Sequence, residues 1–237
     1  MQRYFSKEKK ENTFVLNDSD VHHIINVMRM HDGDNIEVIY DKKIYLCKIN
    51  VVNNSVNTTI IECKENNVEN KPYITLIVSL LKEQKLDIIF QKATELGVDE
   101  IILTSYERTI IHLEDNKLQS KISRWEKILK EASEQSMRID IPKISYVNKK
   151  DLKNLAGLKI LCSTIEKDMN IKKFLKNNTS CDKLNIAIGP EGGFSEKEEK
   201  EFEDYGFTKI SLGNQILRVE TVPMFVLSSI RYEYMER

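Results

Sequence analysis

The sequence predicts an α/β protein in which a parallel sheet covered by helices follows a small, β-rich, barrel-like domain. Short β-branched segments dominate before residue 70, and apolar runs alternate with helical periodicity after residue 72. Two glycine-containing loops near the carboxyl end each follow a short apolar run that is typical of a buried strand. Because a β-α-β order demands parallel strands joined by crossovers, helices should cover both faces of this sheet.

The first domain is predicted to span residues 1–70. Its apolar segments are short and are separated by Asp-Gly-Asp, Asp-Lys-Lys and Asn-Asn turns. A polar stretch at residues 66–72 is suited to a linker. The predicted strands of this domain lie at residues 13–16, 35–40, 44–52 and 56–63.

The second domain is predicted to span residues 73–237. A near-continuous apolar run at residues 73–81 is followed by apolar positions at helical spacing over 86–96, and Gly97 provides a stop for that helix. The next strand is predicted at residues 99–104. Further along the chain we predict a helix at 116–137, strands at 143–147 and 158–163, and a short helix at 170–175.

Composition and charge exclude several classes of protein. With 237 residues and 41% hydrophobic content, the chain is that of an ordinary globular protein. Its formal net charge of -1 excludes binding of nucleic acid through bulk electrostatics, so any RNA site must be a local patch. The four cysteines are widely spaced, which predicts free thiols and no metal site. No apolar run resembles a signal peptide or reaches membrane length, which predicts a cytoplasmic protein without membrane association.

The two glycine-containing loops, residues 188–195 and 212–221, should leave the same edge of the sheet, where α/β proteins bind ligands. Gly192 and Gly193 would let backbone approach a ligand closely, but no phosphate-loop motif accompanies them. A tight turn between a strand and a helix is the alternative reading of this loop. Ser195 begins a Ser-Glu-Lys-Glu capping box, which predicts a helix start there.

Arg218 and Glu220 flank a single residue just before a helix predicted to begin near Thr221, with Pro223 in its first turn. In an extended segment both side chains would point the same way. The alternative to a functional role is that Arg218 and Glu220 form a solvated ion pair, which contributes little to stability.

Together these two loops resemble those of the SPOUT-class methyltransferases that modify N3 of a uridine in small-subunit (16S) ribosomal RNA. The resemblance rests on Gly-Pro-Glu-Gly-Gly at residues 189–193 and Leu-Gly-x-x-Ile-Leu-Arg-x-Glu-Thr at 212–221. Similar segments extend over the whole chain: Arg-Tyr-Phe at 3–5, His-His at 22–23, Val-Met-Arg at 27–29, Gly-Asp at 33–34, Gln-Lys-Ala-Thr-Glu-Leu-Gly-Val at 91–98, Glu-Arg at 107–108, Arg-Trp at 124–125 and residues 131–138.

The resemblance implies S-adenosylmethionine as cofactor, a trefoil knot in the second domain, a PUA-like first domain, and a homodimer that acts on 16S ribosomal RNA or the small ribosomal subunit. Backbone from three loops is expected to hold the cofactor. The residues implied are Ser163, Thr164, Ile188, Gly189, Pro190, Gly192, Gly193, Leu212, Gly213, Ile216 and Leu217.

Methylation at N3 of uracil sets clear chemical demands. The base must be unpaired, its N3 proton must be removed, and the resulting anion must be stabilised. We predict that Arg218 stabilises charge on the uracil carbonyls, and that Glu220, or else Glu191, orients Arg218 or accepts the proton. For Glu191, a loop-closing hydrogen bond to backbone is an equally good interpretation.

Five arginines in the matching segments are candidates for RNA contact, because arginine suits bidentate recognition of phosphate. The alternative role of these arginines is ion pairing at the surface. Trp125, in one of the same segments, is expected in a core or a dimer interface rather than stacked on an RNA base. Asn26, Gln215 and the segment 222–224 depart from the family pattern. The candidate arginines are Arg3, Arg29, Arg108, Arg124 and Arg138.

Two rival functions stay open at this point. One is a non-catalytic RNA-binding protein in which the β-rich domain does the binding. The other is a SPOUT methyltransferase that acts on transfer RNA or on another ribosomal site, since fold does not fix substrate.

Overall fold

The computed structural model describes residues 1–65, 71–111 and 115–235. These form two units, one of residues 1–69 with 133–141 and the other of residues 70–132 with 142–237. Residues 133–141, which the sequence assigns to the second domain, therefore group with the first unit. The predicted linker lies outside the described residues except for its last two positions.

The first unit contains a four-stranded sheet of order β1-β4-β5-β6 and a separate hairpin of β2 and β3. A short helix, α1 (Asp18–His22), continues into one π-helical turn, His23–Val27. The sequence did not predict β1, β2 or α1, because segments of three to five residues carry no measurable periodicity. The strands are β1 (Arg3–Phe5), β2 (Glu8–Lys10), β3 (Thr13–Val15), β4 (Asn35–Tyr40), β5 (Lys43–Val52) and β6 (Ser55–Lys64).

The hairpin and the sheet of the first unit share one core. Tyr4 of β1, Phe14 of β3 and Ile36 of β4 are buried in the same cluster. The backbone N–H of Phe14 donates to Thr58 Oγ1 at 2.8 Å, which ties β3 to β6. This arrangement agrees with a barrel-like domain, in which the apolar faces of the strands turn towards a common interior.

The second unit is built on a six-stranded sheet of order β12-β10-β11-β7-β8-β9. Every neighbouring pair in it is parallel. Its strands are β7 (Tyr73–Ser79), β8 (Glu100–Thr104), β9 (Lys143–Tyr146), β10 (Leu158–Cys162), β11 (Lys183–Ile188) and β12 (Thr208–Ile210). The longer helices are α2 (Glu83–Glu95), α3 (Asp115–Gln135), α5 (Glu196–Asp204) and α6 (Thr221–Tyr234), with α4 (Ile171–Asn177) and a 3-10 helix at Lys149–Asn154 between them.

Both faces of the parallel sheet are covered. Ile77, Leu161 and Ala187 pack with Phe202 of α5 in one cluster. The alternate residues Leu76 and Ile186 are 0% exposed. Because successive side chains of a strand point to opposite faces, the second face must also be packed. The fold class predicted from the sequence is confirmed, whereas the trefoil knot stays a prediction.

Parallel pairing places the carboxyl ends of the strands at one edge of the sheet. The loops that follow β10, β11 and β12 therefore leave the same edge, as the sequence predicted. Strand β11 lies between β10 and β7. From β7 the chain continues to β8 on one side, and from β11 it continues to β12 on the other, so the direction of the connections reverses between β11 and β7. Such switch points are where open α/β sheets bind ligands. Within the described part of the chain, no helix combines the length and the apolar character needed to cross a membrane.

Candidate active site

The loop after β11 is a tight turn that leads directly into α5. Gly193 adopts a φ of 67°, a left-handed conformation that glycine accommodates without steric cost, and its N–H donates to Pro190 O at 2.9 Å. The predicted capping box is confirmed, since Ser195 Oγ accepts from Glu198 N and the Glu198 side chain accepts from Ser195 N. Sequence alone therefore located both the turn and the start of α5.

The loop after β8 supports the loop after β11. Arg108 Nη1 donates to Gly192 O at 2.7 Å and to Phe194 O at 3.3 Å. Ser195 Oγ donates to Glu107 Oε2 at 2.6 Å, and this hydrogen bond lowers the pKa of the Glu107 carboxyl below its usual value. Arg108, predicted to contact RNA, thus serves here to hold the glycine-containing loop.

The loop after β10 is organised around Ser163. This side chain is 6% exposed, donates to Glu199 Oε1 at 2.8 Å and accepts from the N–H groups of Ile165 and Glu166, each at 3.2 Å. Thr164 is exposed beside it. Ser163 therefore fixes the loop conformation through its hydroxyl, while the adjacent backbone and the Ile165 side chain lie at the surface.

The loop after β12 is open along much of its length. Gly213 has a φ of 115°, and a Cβ added there would meet nothing closer than Gln215 Oε1 at 4.0 Å. Ile216 is 84% exposed, so its apolar side chain lies at the surface of this loop.

The segment that joins this loop to α6 is a turn. Thr221 N donates to Arg218 O at 2.8 Å, and Glu220 has helical backbone angles. The prediction that Arg218 and Glu220 share an extended segment, with parallel side chains, is therefore wrong. The turn separates their directions: Glu220 is partly buried, whereas Arg218 is exposed.

Charged groups from three elements meet at this edge of the sheet. Lys85, in the first turn of α2, places its Nζ 3.1 Å from Glu191 Oε1 and 3.7 Å from Glu220 Oε2. Glu220 Oε2 is buried and has no hydrogen-bond donor within the described residues. The exposed Arg218 side chain makes no hydrogen bond or ion pair with any described residue.

Sequence reasoning missed Lys85. It precedes the apolar positions of an amphipathic helix and has the pattern of an ordinary solvated lysine. A positional signal was present, since the first turn of a helix that follows a parallel strand lies at the carboxyl edge of the sheet. Glu191, for which a hydrogen bond to backbone was an alternative, pairs with Lys85 instead.

The predicted RNA-contacting arginines lie in different environments. Arg3 is 7% exposed and donates to Glu37, to Met137 O and to Arg138 O, so its burial weighs against an RNA contact. Arg138 is engaged by Asp140 through Nε and Nη2, and its side chain is 11% exposed.

Arg29 differs from these, because it is exposed and its side chain makes no hydrogen bond or ion pair with the described residues. Arg124 forms a bidentate ion pair with Asp87. Trp125 is 1% exposed and packs edge-on against Phe90 at 5.5 Å, which confirms its placement in a core.

An all-parallel sheet with glycine turns and charged side chains gathered at its carboxyl edge defines an α/β protein of the ligand-binding type. Comparison with known proteins then identifies the family. Residues 68–231 match the family model described as the RNA methyltransferase domain, and residues 16–56 match the RNA methyltransferase PUA domain. The chain belongs to this RNA methyltransferase family.

Individual relatives match over nearly the full length of the chain. The ribosomal RNA small subunit methyltransferase E of Bacillus subtilis is 34% identical, covering 98% of this chain and 97% of the relative. The protein of the same name from Mesomycoplasma hyopneumoniae is 35% identical, covering 96% and 98%. A crystal structure of ribosomal RNA small subunit methyltransferase E from Neisseria gonorrhoeae, bound to S-adenosyl methionine, has a TM-score of 0.88 at 27% identity and covers 99% of this chain and 98% of that one.

Proposed function

We propose that this protein uses S-adenosylmethionine to methylate N3 of a specific uridine in 16S ribosomal RNA, on folded RNA or an assembled ribonucleoprotein. The observation that carries the proposal is the charged cluster at the carboxyl edge of the sheet. There the guanidinium of Arg218, which has no ion-pair partner among the described residues, lies two residues from Glu220, whose buried Oε2 has no donor among them either. The names of the relatives support methylation of small-subunit ribosomal RNA.

The three loops fit the cofactor. A Cβ at Gly193 would meet no atom within 4 Å, and Gly213 has similar open space, so both leave room for a ligand close to backbone. Ile165 and Ile216, 59% and 84% exposed, offer apolar surface for an adenine ring. The proposed cofactor contacts are those predicted from the sequence, in the loops at 163–164, 188–193 and 212–217. When bound there, S-adenosylmethionine supplies an electrophilic methyl group.

Arg218 is proposed to stabilise the uracil anion. Deprotonation of N3 spreads negative charge over the carbonyl oxygens at C2 and C4, and a guanidinium matches this charge with fixed donors. Because Arg218 has no protein partner among the described residues, its donors are available to substrate without first breaking an ion pair. A positive charge beside the base lowers the barrier to proton loss.

Glu220 is proposed to accept the N3 proton. Its Oε2 is buried and accepts no hydrogen bond from the described residues, so the lone pair that would receive the proton is not occupied by a protein donor. Glu191 makes a shorter contact to Lys85, 3.1 Å against 3.7 Å, and is the less available of the two carboxylates. We therefore retain Glu191 as a supporting residue rather than as the base.

The remaining parts of the proposal concern RNA and assembly. Arg29, exposed in the first unit, is the arginine best placed to contact a phosphate. The first unit is proposed to act as the RNA-binding domain, and the second, with its proposed knot, to bind the cofactor as part of a homodimer. Ribosomal RNA as substrate implies a cytoplasmic protein.

The decisive experiment maps modified uridines in ribosomal RNA from a strain that lacks the gene. We expect one N3-methyluridine in 16S RNA to disappear, to return when the wild-type gene is supplied, and to stay absent with Arg218→Ala. Loss of a methyl group from transfer RNA or from another ribosomal position would contradict the proposed substrate. Calorimetry that detects no binding of S-adenosylmethionine to the purified protein would instead favour a non-catalytic RNA-binding protein.

A further inference from the structure

Lys85 connects two elements that would otherwise be held apart by their charges. Glu191 belongs to the loop after β11, and Glu220 is the N-cap residue of α6. Both carboxylates approach the single Lys85 ammonium, at 3.1 and 3.7 Å. Two carboxylates that share one neighbour repel each other, and a cation between them offsets this repulsion.

Partial burial makes this bridge more effective than an ordinary surface pair. The side chains of Lys85, Glu191 and Glu220 are 32%, 31% and 20% exposed. The Lys10–Glu8 pair of the first unit is 64% and 55% exposed, which is typical of ion pairs that contribute little. Attraction between charges is screened less when water is partly excluded. The Lys85 bridge is therefore able to fix geometry.

The way in which Lys85 is shared leaves Glu220 reactive. Lys85 Nζ donates a hydrogen bond to Glu191 Oε1, whereas its distance to Glu220 Oε2 is too long for one. Glu220 is thus attracted and positioned, while its buried Oε2 accepts no hydrogen bond from the described residues. A shorter contact would occupy the acceptor, and no contact would let the side chain turn away from its neighbour.

We propose that Lys85 is a positioning residue for the methyl-transfer reaction, acting through Glu191 and Glu220. It holds the loop after β11, one of the three proposed to bind the cofactor, against the start of α6. It also keeps Glu220 oriented to receive the proton from N3 of uracil. Lys85 itself touches neither cofactor nor base. This inference rests on the proposed function, because it assigns Lys85 a part in the same proton transfer.

The test compares Lys85→Met, which keeps the length of the side chain but removes its charge, with Lys85→Arg, which keeps the charge. Lys92→Met is the matched control, since Lys92 lies in the same helix and is paired with Glu95 at 2.9 Å. Methylation of 30S subunits from the deletion strain is followed under steady-state conditions. Calorimetry with S-adenosylmethionine and thermal unfolding are measured on each variant.

We expect Lys85→Met to lower kcat about 10²-fold, the size expected for misplacement of a reacting group, with KM for the subunits changed less than about threefold. Lys85→Arg should restore most of the loss, and Lys92→Met should behave as wild type. The inference is overturned if wild type is active and Lys85→Met keeps its kcat. It is also overturned if Lys85→Met lowers kcat and thermal stability together and Lys85→Arg does not restore kcat. A wild-type protein that fails to methylate the subunits would instead refute the proposed function.

Discussion

Each unit contains a cluster of three charged side chains, and the two clusters have opposite compositions. In the first unit one carboxylate, Glu37, lies between two cations, with Arg3 Nη2 at 2.6 Å and Lys64 Nζ at 2.8 Å. In the second unit one cation, Lys85, lies between two carboxylates. The Glu37 and Arg3 side chains are 9% and 7% exposed and Lys64 is 35% exposed, whereas Lys85, Glu191 and Glu220 are 20% to 32% exposed.

The difference shows how the same residue types serve structure in one place and chemistry in another. Both oxygens of Glu37 accept hydrogen bonds, so nothing in that cluster is left to react. At Lys85 the donors are too few, and Glu220 Oε2 has none within the described residues. A cluster in which both carboxylate oxygens are hydrogen-bonded stabilises a fold, while one with a carboxylate oxygen that lacks a donor can take up a proton.

Removing Arg218, a cation without an ion-pair partner in the described part of the chain, should have the largest effect. We expect Arg218→Ala to lower kcat about 10³-fold, because a charge-stabilising donor at the reacting base is lost. The dissociation constant for S-adenosylmethionine, measured by calorimetry, should change less than about twofold. If Arg218→Ala turns over at the wild-type rate, the proposed catalytic role of the second cluster, and with it the difference between the two clusters, is wrong.

Removing a cation from the first cluster should act on stability instead. We expect Arg3→Met to lower the free energy of unfolding by about 3 kcal/mol, the lower end for breaking a buried ion pair, since Lys64 stays as a partner for Glu37. Urea unfolding measures this, with Arg29→Met as the exposed control. If Arg3→Met leaves the stability unchanged and weakens RNA binding, Arg3 contacts RNA, as the sequence predicted.

Arg108 distinguishes support of the cofactor loop from RNA contact. Arg108→Met removes the two hydrogen bonds to Gly192 O and Phe194 O. We expect the dissociation constant for S-adenosylmethionine to rise about tenfold, equivalent to about 1.4 kcal/mol, with little change in KM for RNA. Arg124→Met is the control. The reverse result, a raised KM for RNA with unchanged cofactor affinity, would favour the RNA contact.

The pH dependence of stability should show the smallest effect. Burial opposes the charge of the Glu37 carboxyl, but hydrogen bonds from Lys64 and Arg3 outweigh it, so the pKa of Glu37 is lowered. A lowered folded-state pKa means that ionised Glu37 stabilises the fold above the ordinary value of 4.5, and that this contribution is lost as pH falls through the lowered value.

Urea unfolding of wild type and Glu37→Gln, followed from about pH 7 down to pH 3, measures this loss. The stability difference between the two proteins should shrink below the ordinary pKa of the carboxyl. Glu8→Gln, which alters an exposed pair, is the control and should show no such trend. A difference that stays constant over the whole range would show that the charge of Glu37 is not what stabilises the first cluster.

Local pattern was enough to predict most of the fold. Strand β4 has the bounds expected from its alternation, and the capping box at Ser195 starts α5. Side-chain partners that are distant in sequence were not predictable. From the sequence alone, Arg3 is expected to be exposed, because nothing local indicates that Glu37 lies beside it. Lys85 is likewise expected to be solvated, because Glu191 and Glu220 are more than a hundred residues away in the sequence. Spacing alone also gave the wrong backbone at Arg218, where a turn replaces an extended segment.

The place of β11 in the sheet has a consequence for biosynthesis. Residues 183–188 fill the centre of the sheet, between β10 and β7, although they are translated more than a hundred positions after β7. Until the ribosome has made them, β7 presents one flank of unpaired backbone beside a row of apolar side chains, which is a surface that invites aggregation. A nascent chain of this protein should therefore depend on chaperones during that interval, and nonsense mutations upstream of β11 should yield insoluble fragments.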